Sequence, residues 1–234
     1  VQIGGRKTHN FRQRSRDWGL KRALHWEFMH ALEYLGIRVH YVDVGSNDTR
    51  PWESKRPDVP ADYATRVVGF DDLAPFVDET PDLTLEFIKD AFARGDECAA
   101  NFHDGALVGF GFVCRSRARV TDQLDVIIPP GFRYNYKDWT HPDHRRRNLT
   151  TLRGHIRFTT LPRPYDERSI SYVETHNYPS LLHSYVHPKR RSLRMGLVGW
   201  FTILGRQFPF NSRRAKWIGL EFVRKSDDGR RQYV

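Results

Sequence analysis

Residues 132–152 read FRYNYKDWTHPDHRRRNLTTL, and the placement of the rest of the chain follows from how this stretch is understood. Bulky residues alternate through Phe132, Tyr134 and Tyr136, which is strand patterning. His141-Pro142 breaks the strand, Arg145, Arg146 and Arg147 follow in a row, and a helix is predicted from there to about Phe158. A strand that enters a helix through a short basic turn suits an anionic group. The helix start offers unpaired N–H groups and a positive dipole end, and the arginines add full charge.

The chain has 234 residues, 38 Lys+Arg against 28 Asp+Glu, a net charge of +10 and a pI of about 9.8. That balance favours polyanions: nucleic acid, an anionic membrane, an acidic carrier protein or a phosphorylated cofactor. A hydrophobic fraction of 39% with 13% aromatics indicates a folded protein with a core. No apolar run approaches the roughly 18 residues that a membrane span needs, and no leader is read at the start. Cys98 and Cys114, far apart and in apolar strand-like context, are expected to be buried reduced thiols, which suits a cytoplasmic protein. Association with a membrane periphery is the other localisation the charge allows.

In chain order, residues 1–16 are expected to form a loose basic arm. Asp17 is expected to cap a helix with Leu20, Leu24, Phe28, Ala31 and Leu35 at helical spacing, ended by Gly36. Ile37–Val44 alternates as a strand, and residues 45–62 read as a linker. From Tyr63 the order is a strand (63–68), a short helix capped by Asp71, a helix from Asp82 to Arg94, and a hairpin turning on Asp104-Gly105, which favours a type I′ turn. An excursion (115–131), the strand Phe132–Thr140, the basic turn and its helix come next. A strand Ile170–Thr175, Asn177 and a helix from about Pro179 follow, and two strands, Leu197–Leu204 and Ala215–Arg224, close the chain. This is a mixed α/β order.

From Tyr63 onward the segments resemble the GNAT superfamily of N-acyltransferases. The resemblance rests on GFDDL (69–73), on the hairpin with ALVGFGFV, on THPDHRRRNLTTL (140–152), and on ISYVETHNYPSLLHSYV with RMGLVGW (194–200). It implies a mostly antiparallel central sheet flanked by helices over residues 63–234, an acyltransferase domain. Residues 1–62 would be an N-terminal arm, helix–strand unit and linker. It also implies an acyltransferase that moves an acetyl or longer acyl group from acyl-CoA to a primary amine, by direct attack in a ternary complex. The acceptor would be a small-molecule or sugar amine, and an acyl carrier protein is a further possible donor.

By the same resemblance, Trp139, Thr140, Arg145, Arg146, Arg147, Asn148, Leu149, Thr150 and Asn177 would hold the CoA co-substrate. Backbone N–H groups near Trp139 and Thr140 would bind the thioester oxygen, and Asn177 the pantetheine arm. Where the family has Gly-x-Gly, this chain has Arg146 and Asn148. Asparagine tolerates unusual backbone angles; the Arg146 guanidinium either contacts phosphate or alters the pocket. Glu174 is the first choice for the base that takes the amine proton and Asp138 the second; a surface salt bridge is the other reading of Glu174. Tyr185 falls near the family's thiolate-protonating tyrosine, or is a core tyrosine.

Other clusters carry less. His141, His144, His155, His176, His183 and His187 suggest a metal, but Pro142 breaks the register of the first pair and no Cys or carboxylate joins at ligand spacing. No metal is expected, and the histidines are expected to pack or to line an anion pocket. Lys189, Arg190, Arg191, Arg194, Arg206, Arg213, Arg214 and Lys216 are interleaved with Trp200, Phe201, Phe208, Phe210 and Trp217. The aromatics are expected in the core with the charges outside. The alternative is a non-catalytic GNAT-like protein that binds nucleic acid or anionic lipid through this basic face.

Overall fold

The computed structural model describes residues 10–45, 56–80, 83–161, 167–178, 181 and 192–225. These fall into two compact units, taken here in turn. None of the helices described is long and apolar enough to cross a membrane.

One unit spans Val44–Ser116 and Pro130–Ser171. Its strands are β2 (Tyr63–Val68), β3 (Glu97–His103), β4 (Ala106–Cys114), β7 (Phe132–Thr140) and the first part of β8 (Arg168–Glu174), in the order β8-β7-β4-β3-β2. The β2–β3, β3–β4 and β4–β7 pairs are antiparallel, and β7–β8 is parallel. Its helices are α3 (Phe70–Leu73), α4 (Leu85–Ala93) and α5 (Leu149–Thr160). The hairpin turns on Asp104-Gly105, whose φ angles of 50° and 81° are the left-handed pair a type I′ turn requires.

Strand β4 assigns its two faces by a two-residue alternation. Phe110 and Phe112 point to one side, where Phe87 and Phe92 of α4 meet Phe112 with ring centroids 5.0 and 5.9 Å away. Gly109 and Gly111 leave the other side bare. A Cβ on Gly109 would lie 2.5 Å from Arg153 Nη1, and one on Gly111 2.9 Å from Asp138 Oδ1. The glycines therefore make room for a side chain reaching in from α5.

The other unit spans Val1–Asp43, Arg117–Pro129 and Tyr172–Val234. It holds α1 (Phe11–Trp18), α2 (Leu20–Tyr34), most of β1 (Ile37–Gly45), the end of β8, and β9 (Ser192–Ile203) with β10 (Arg206–Asn211), in the order β10-β9-β1-β8. A separate three-stranded sheet joins β5 (Arg117–Arg119), β6 (Leu124–Ile127) and β11 (Glu221–Arg224) in the order β11-β6-β5. The short helix α6 (Arg213–Trp217) precedes β11. The fold class expected from the sequence, a mixed, mostly antiparallel sheet flanked by helices and preceded by a helix–strand segment, is the one observed.

Several local expectations are corrected. Residues 11–18 are helical rather than a loose arm: Asn10 accepts from the Gln13 N–H at 2.9 Å and caps α1. Asp17 therefore lies inside α1, and Gly19 opens α2. The stripe Leu20, Leu24, Phe28, Ala31 and Leu35 does share one face, but that face is exposed, and α2 buries Ala23 and Met29 instead. Gly69 rather than Asp71 precedes α3, with Asp72 accepting from the Gly69 N–H at 2.8 Å, and the helix read from Asp82 is capped by Thr84 and runs Leu85–Ala93. The 115–131 excursion contains β5 and β6. The strand read over Ala215–Arg224 is confined to Glu221–Arg224, and its start belongs to a helix, Arg213–Trp217, that Ser212 caps. The hairpin turn at Leu204-Gly205, with φ of 47° and 76°, yields a strand, β10, that the sequence reading passed over. Phe201 and Phe208 stack at 5.4 Å, yet Phe201 is exposed and Trp217 more so. These two aromatics are not core residues.

His40 is buried in this unit, stacked on Trp200 at 5.4 Å and edge-on to Tyr172 at 5.1 Å. Burial pushes its pKa down from 6.5 to about 4, partly offset by Glu174. The unfolded chain then binds a proton that the folded one does not between those values. Stability is thus full above pH 6.5 and falls as pH drops towards 4, by roughly 3 kcal/mol in all. His40→Phe is expected to flatten this part of a denaturation-midpoint-against-pH curve; an unchanged slope would reassign it to another group.

Candidate functional site

The stretch FRYNYKDWTHPDHRRRNLTTL folds as read: strand β7, a 3-10 turn at Pro142–His144, the arginine run, then α5. Helix α5 is held from beneath by Leu149, which packs with Tyr63, Val108 and Val59, and by buried Leu152. Asn148 precedes it with a left-handed backbone and no side-chain cap, so the first-turn N–H groups are left for an outside acceptor. Asn148 Nδ2 instead donates to the Asp58 carbonyl at 3.3 Å.

Arg146 and Asn148 have φ of 65° and 58°. These are the positions where glycine was expected, and both hold a backbone that glycine adopts freely and other residues adopt at about 1–2 kcal/mol. The cost falls mainly on Arg146, since asparagine tolerates this backbone.

The three arginines have different fates. Arg145 Nε donates to the Thr140 carbonyl at 3.2 Å. Arg147 Nη1 donates to the Tyr63 hydroxyl at 2.8 Å, and that hydroxyl lies 2.7 Å from His144 Nδ1. Arg146 is exposed and makes no hydrogen bond or ion pair to any described residue. Two guanidinium groups are thus tied to the turn and one is presented. His144 also sits 5.0 Å from His103 and 5.4 Å from His141, ring to ring; desolvation and these neighbours push its pKa down.

Trp139 and Thr140 pair with Phe110 and Gly109. Because the next N–H, His141, donates to the Val108 carbonyl at 2.9 Å, antiparallel alternation turns the Thr140 N–H away from β4. Thr140 rather than Trp139 therefore offers a donor off the sheet edge. Just before it, Phe110 pairs with Trp139 and Phe112 with Tyr136, so Lys137 and Asp138 together face Gly111. Lys137 has φ 51°, the extra residue of a β-bulge. The parallel ladder to β8 covers only Phe132–Tyr134 with Arg168–Ile170.

Asp138 is committed elsewhere. The fully buried Arg153 donates to Asp138 and to Asn101, and reaches Thr140 Oγ1 at 3.2 Å and Thr150 Oγ1 at 3.1 Å. Asn101 Nδ2 in turn donates to Thr65 Oγ1 at 2.6 Å. Arg153 was missed in the sequence, although an arginine beside Leu149, Leu152 and Ile156 on the apolar face of a helix is a usable signal of a buried polar site.

Glu174 and Asn177 lie in the other unit. Glu174 is half-buried at the end of β8, with Oε2 3.9 Å from His176 Nε2, and its carbonyl accepts from the Asn177 N–H at 2.9 Å. His176 Nε2 is also 3.6 Å from Glu33 Oε1. The carboxylate that sequence spacing did not supply thus comes from α2. His30, at i−3 to Glu33, has Nδ1 3.1 Å from Glu33 Oε2. Tyr185 lies outside the described residues, as do His183, His187 and Lys189–Arg191. Cys98 and Cys114 are buried and not joined in a disulfide, and burial pushes the Cys98 thiol up to about 12, so it is inert at neutral pH.

No family model and no curated protein matches the chain. Among solved structures it is similar to a tandem GNAT protein from the clavulanic acid biosynthesis pathway, with 19% identity, 63% of this chain and 48% of that one covered, and a TM-score of 0.45. It is similar to a GCN5-related N-acetyltransferase from Kribbella flavida, with 14% identity, 62% and 52% coverage and a TM-score of 0.34. For a GCN5-related N-acetyltransferase-like protein from Streptococcus suis the figures are 11%, 77%, 66% and 0.44. The chain spans between 48% and 66% of the length of these three.

Proposed function

We propose that this chain is an N-acyltransferase that moves an acetyl or longer acyl group from acyl-CoA to a primary amine, without an acyl-enzyme intermediate. The observation that carries the reading is the turn between β7 and α5. Left-handed backbone at Arg146 and Asn148 persists at an energetic cost beside an uncapped helix start, as expected where a backbone must approach a pyrophosphate.

In this reading the first-turn N–H groups of α5 and the Arg146 guanidinium bind the pyrophosphate, and the Thr140 N–H holds the thioester oxygen as it becomes an oxyanion. Glu174 takes the proton of the attacking amine, directly or through water. The amine nitrogen bonds to the carbonyl carbon, the tetrahedral adduct collapses, the C–S bond breaks, and the CoA thiolate leaves to be protonated, with Tyr185 as the proposed donor. Asn177 binds the pantetheine arm. Asp138 serves the fold through Arg153 rather than the proton transfer.

Acyl-CoA at 100 times its Kd is expected to stabilise the protein by about 2.7 kcal/mol in a thermal-shift assay. Arg146→Gly is expected to unfold later than the parent without ligand, because the left-handed strain is relieved, and to bind acyl-CoA roughly 10-fold more weakly through loss of a charged hydrogen bond. Tighter binding by Arg146→Gly would remove the phosphate role from Arg146. No stabilisation by any acyl-CoA, together with salt-sensitive binding of DNA or RNA, would replace this reading with polyanion binding by the basic face.

A further inference from the structure

We propose that His30, Glu33 and His176 form a binding site for one divalent transition-metal ion of the zinc type. The proposal does not depend on the acyl-transfer reading. It stands on three side chains that converge from two segments of one unit: α2 brings His30 and Glu33, and the turn after β8 brings His176. One ligand atom from each lies within 4.8 Å of the others.

The separations suit an ion. Zinc bonds of about 2.0–2.2 Å at tetrahedral angles put ligand atoms roughly 3.4 Å apart. Here His30 Nδ1 is 3.1 Å from Glu33 Oε2, and His176 Nε2 is 3.6 Å from Glu33 Oε1. Two imidazole nitrogens and one carboxylate oxygen are a donor set that zinc accepts, with a fourth position left for water.

The surroundings fix the ligands. Trp26 stacks on His30 with ring centroids 4.4 Å apart and an interplanar angle of 27°, and meets His176 edge-on at 6.3 Å. Arg38 holds Glu33 through an ion pair, the kind of outer partner that orients a ligating carboxylate. The charge also fits. Two carboxylates, Glu33 and Glu174, lie beside His176 against the single guanidinium of Arg38. The side chains of Glu33 and His176 are only 10% and 5% exposed, so water screens the attraction between these carboxylates and a bound cation little.

The test uses the tag-free full chain, dialysed against zinc and then against metal-free buffer, with bound metal counted by elemental analysis and the site read by Co²⁺ absorption. One equivalent of zinc and the d–d bands of four-coordinate Co²⁺ are expected. His176→Ala is expected to abolish both, and His30→Gln to weaken binding by more than the ~10–100-fold that an outer-shell change costs. His144→Ala, in the half-buried His103/His141/His144 group, is expected to bind as the parent does. Substoichiometric metal in the parent overturns the proposal. So does retention of the ion by His30→Gln with loss in His144→Ala, which would put it on the His103/His141/His144 group. If His176→Ala does not fold by circular dichroism, Glu33→Gln serves instead, because it keeps shape and removes the anionic ligand.

Discussion

Asp138→Ala is expected to destabilise the protein by about 3–5 kcal/mol, the usual result of stranding a buried charge by removing its partner, and to lower Tm by on the order of 10 °C. Arg153 is fully buried and Asp138 is its only acidic partner among the described residues. Arg153→Met is expected to cost less, about 1–3 kcal/mol. What it leaves behind is the Asn101 side-chain oxygen and a carboxylate whose side chain is 43% exposed and can turn to water. The double variant should then lie closer to Arg153→Met than to the sum, because the two sites share one interaction. Urea midpoints for the three variants decide the matter. An Asp138→Ala variant as stable as the parent but inactive would restore Asp138 as a base and make the ion pair incidental.

Glu174→Gln is expected to lower kcat/KM for acyl transfer by about 10²–10⁴-fold, the range that a positioned general base contributes. It keeps the shape of the side chain and the backbone turn in which the Glu174 carbonyl accepts from Asn177, so folding and acyl-CoA binding should survive. The base acts as the carboxylate, so the parent should lose activity as pH falls, and the glutamine variant should lose that dependence along with its rate. Thiol release measured across pH, with binding followed separately, distinguishes the two effects. Turnover within threefold of the parent, with the pH profile intact, would return Glu174 to its other reading as a salt-bridge partner of His176.

Local chemistry made much of the fold legible. The strands at 63–68 and 132–140 and the hairpin at Asp104-Gly105 are found where patterning put them, since alternation and a left-handed turn pair are properties of short stretches. Pairings between distant segments were not legible. The strand at 124–127 pairs with its neighbour at 117–119 on one side and with 221–224 on the other, and nothing in 115–131 names that distant partner. At the end of the chain the signal was present but unread: Ser212 before Arg213–Trp217 is an N-cap, and its side chain accepts from the Ala215 N–H. The candidate site divides in the same way. The basic turn was visible as a run of arginines, whereas the left-handed angles at Arg146 and Asn148, the role of Arg153 and the meeting of Glu33 with His176 depend on tertiary assembly.

The buried Arg153 also bears on how the turn moves. Its guanidinium joins β3 at Asn101, the β7 bulge at Asp138, the strand end at Thr140 and the first turn of α5 at Thr150. None of these segments can fray alone without exposing the charge to an incomplete set of partners, so they should open together as one cooperative unit. Amide protons of β3, the end of β7 and the start of α5 should therefore share one opening free energy in hydrogen exchange. The basic turn would then have the slow breathing of the sheet interior rather than the fast motion of a surface loop.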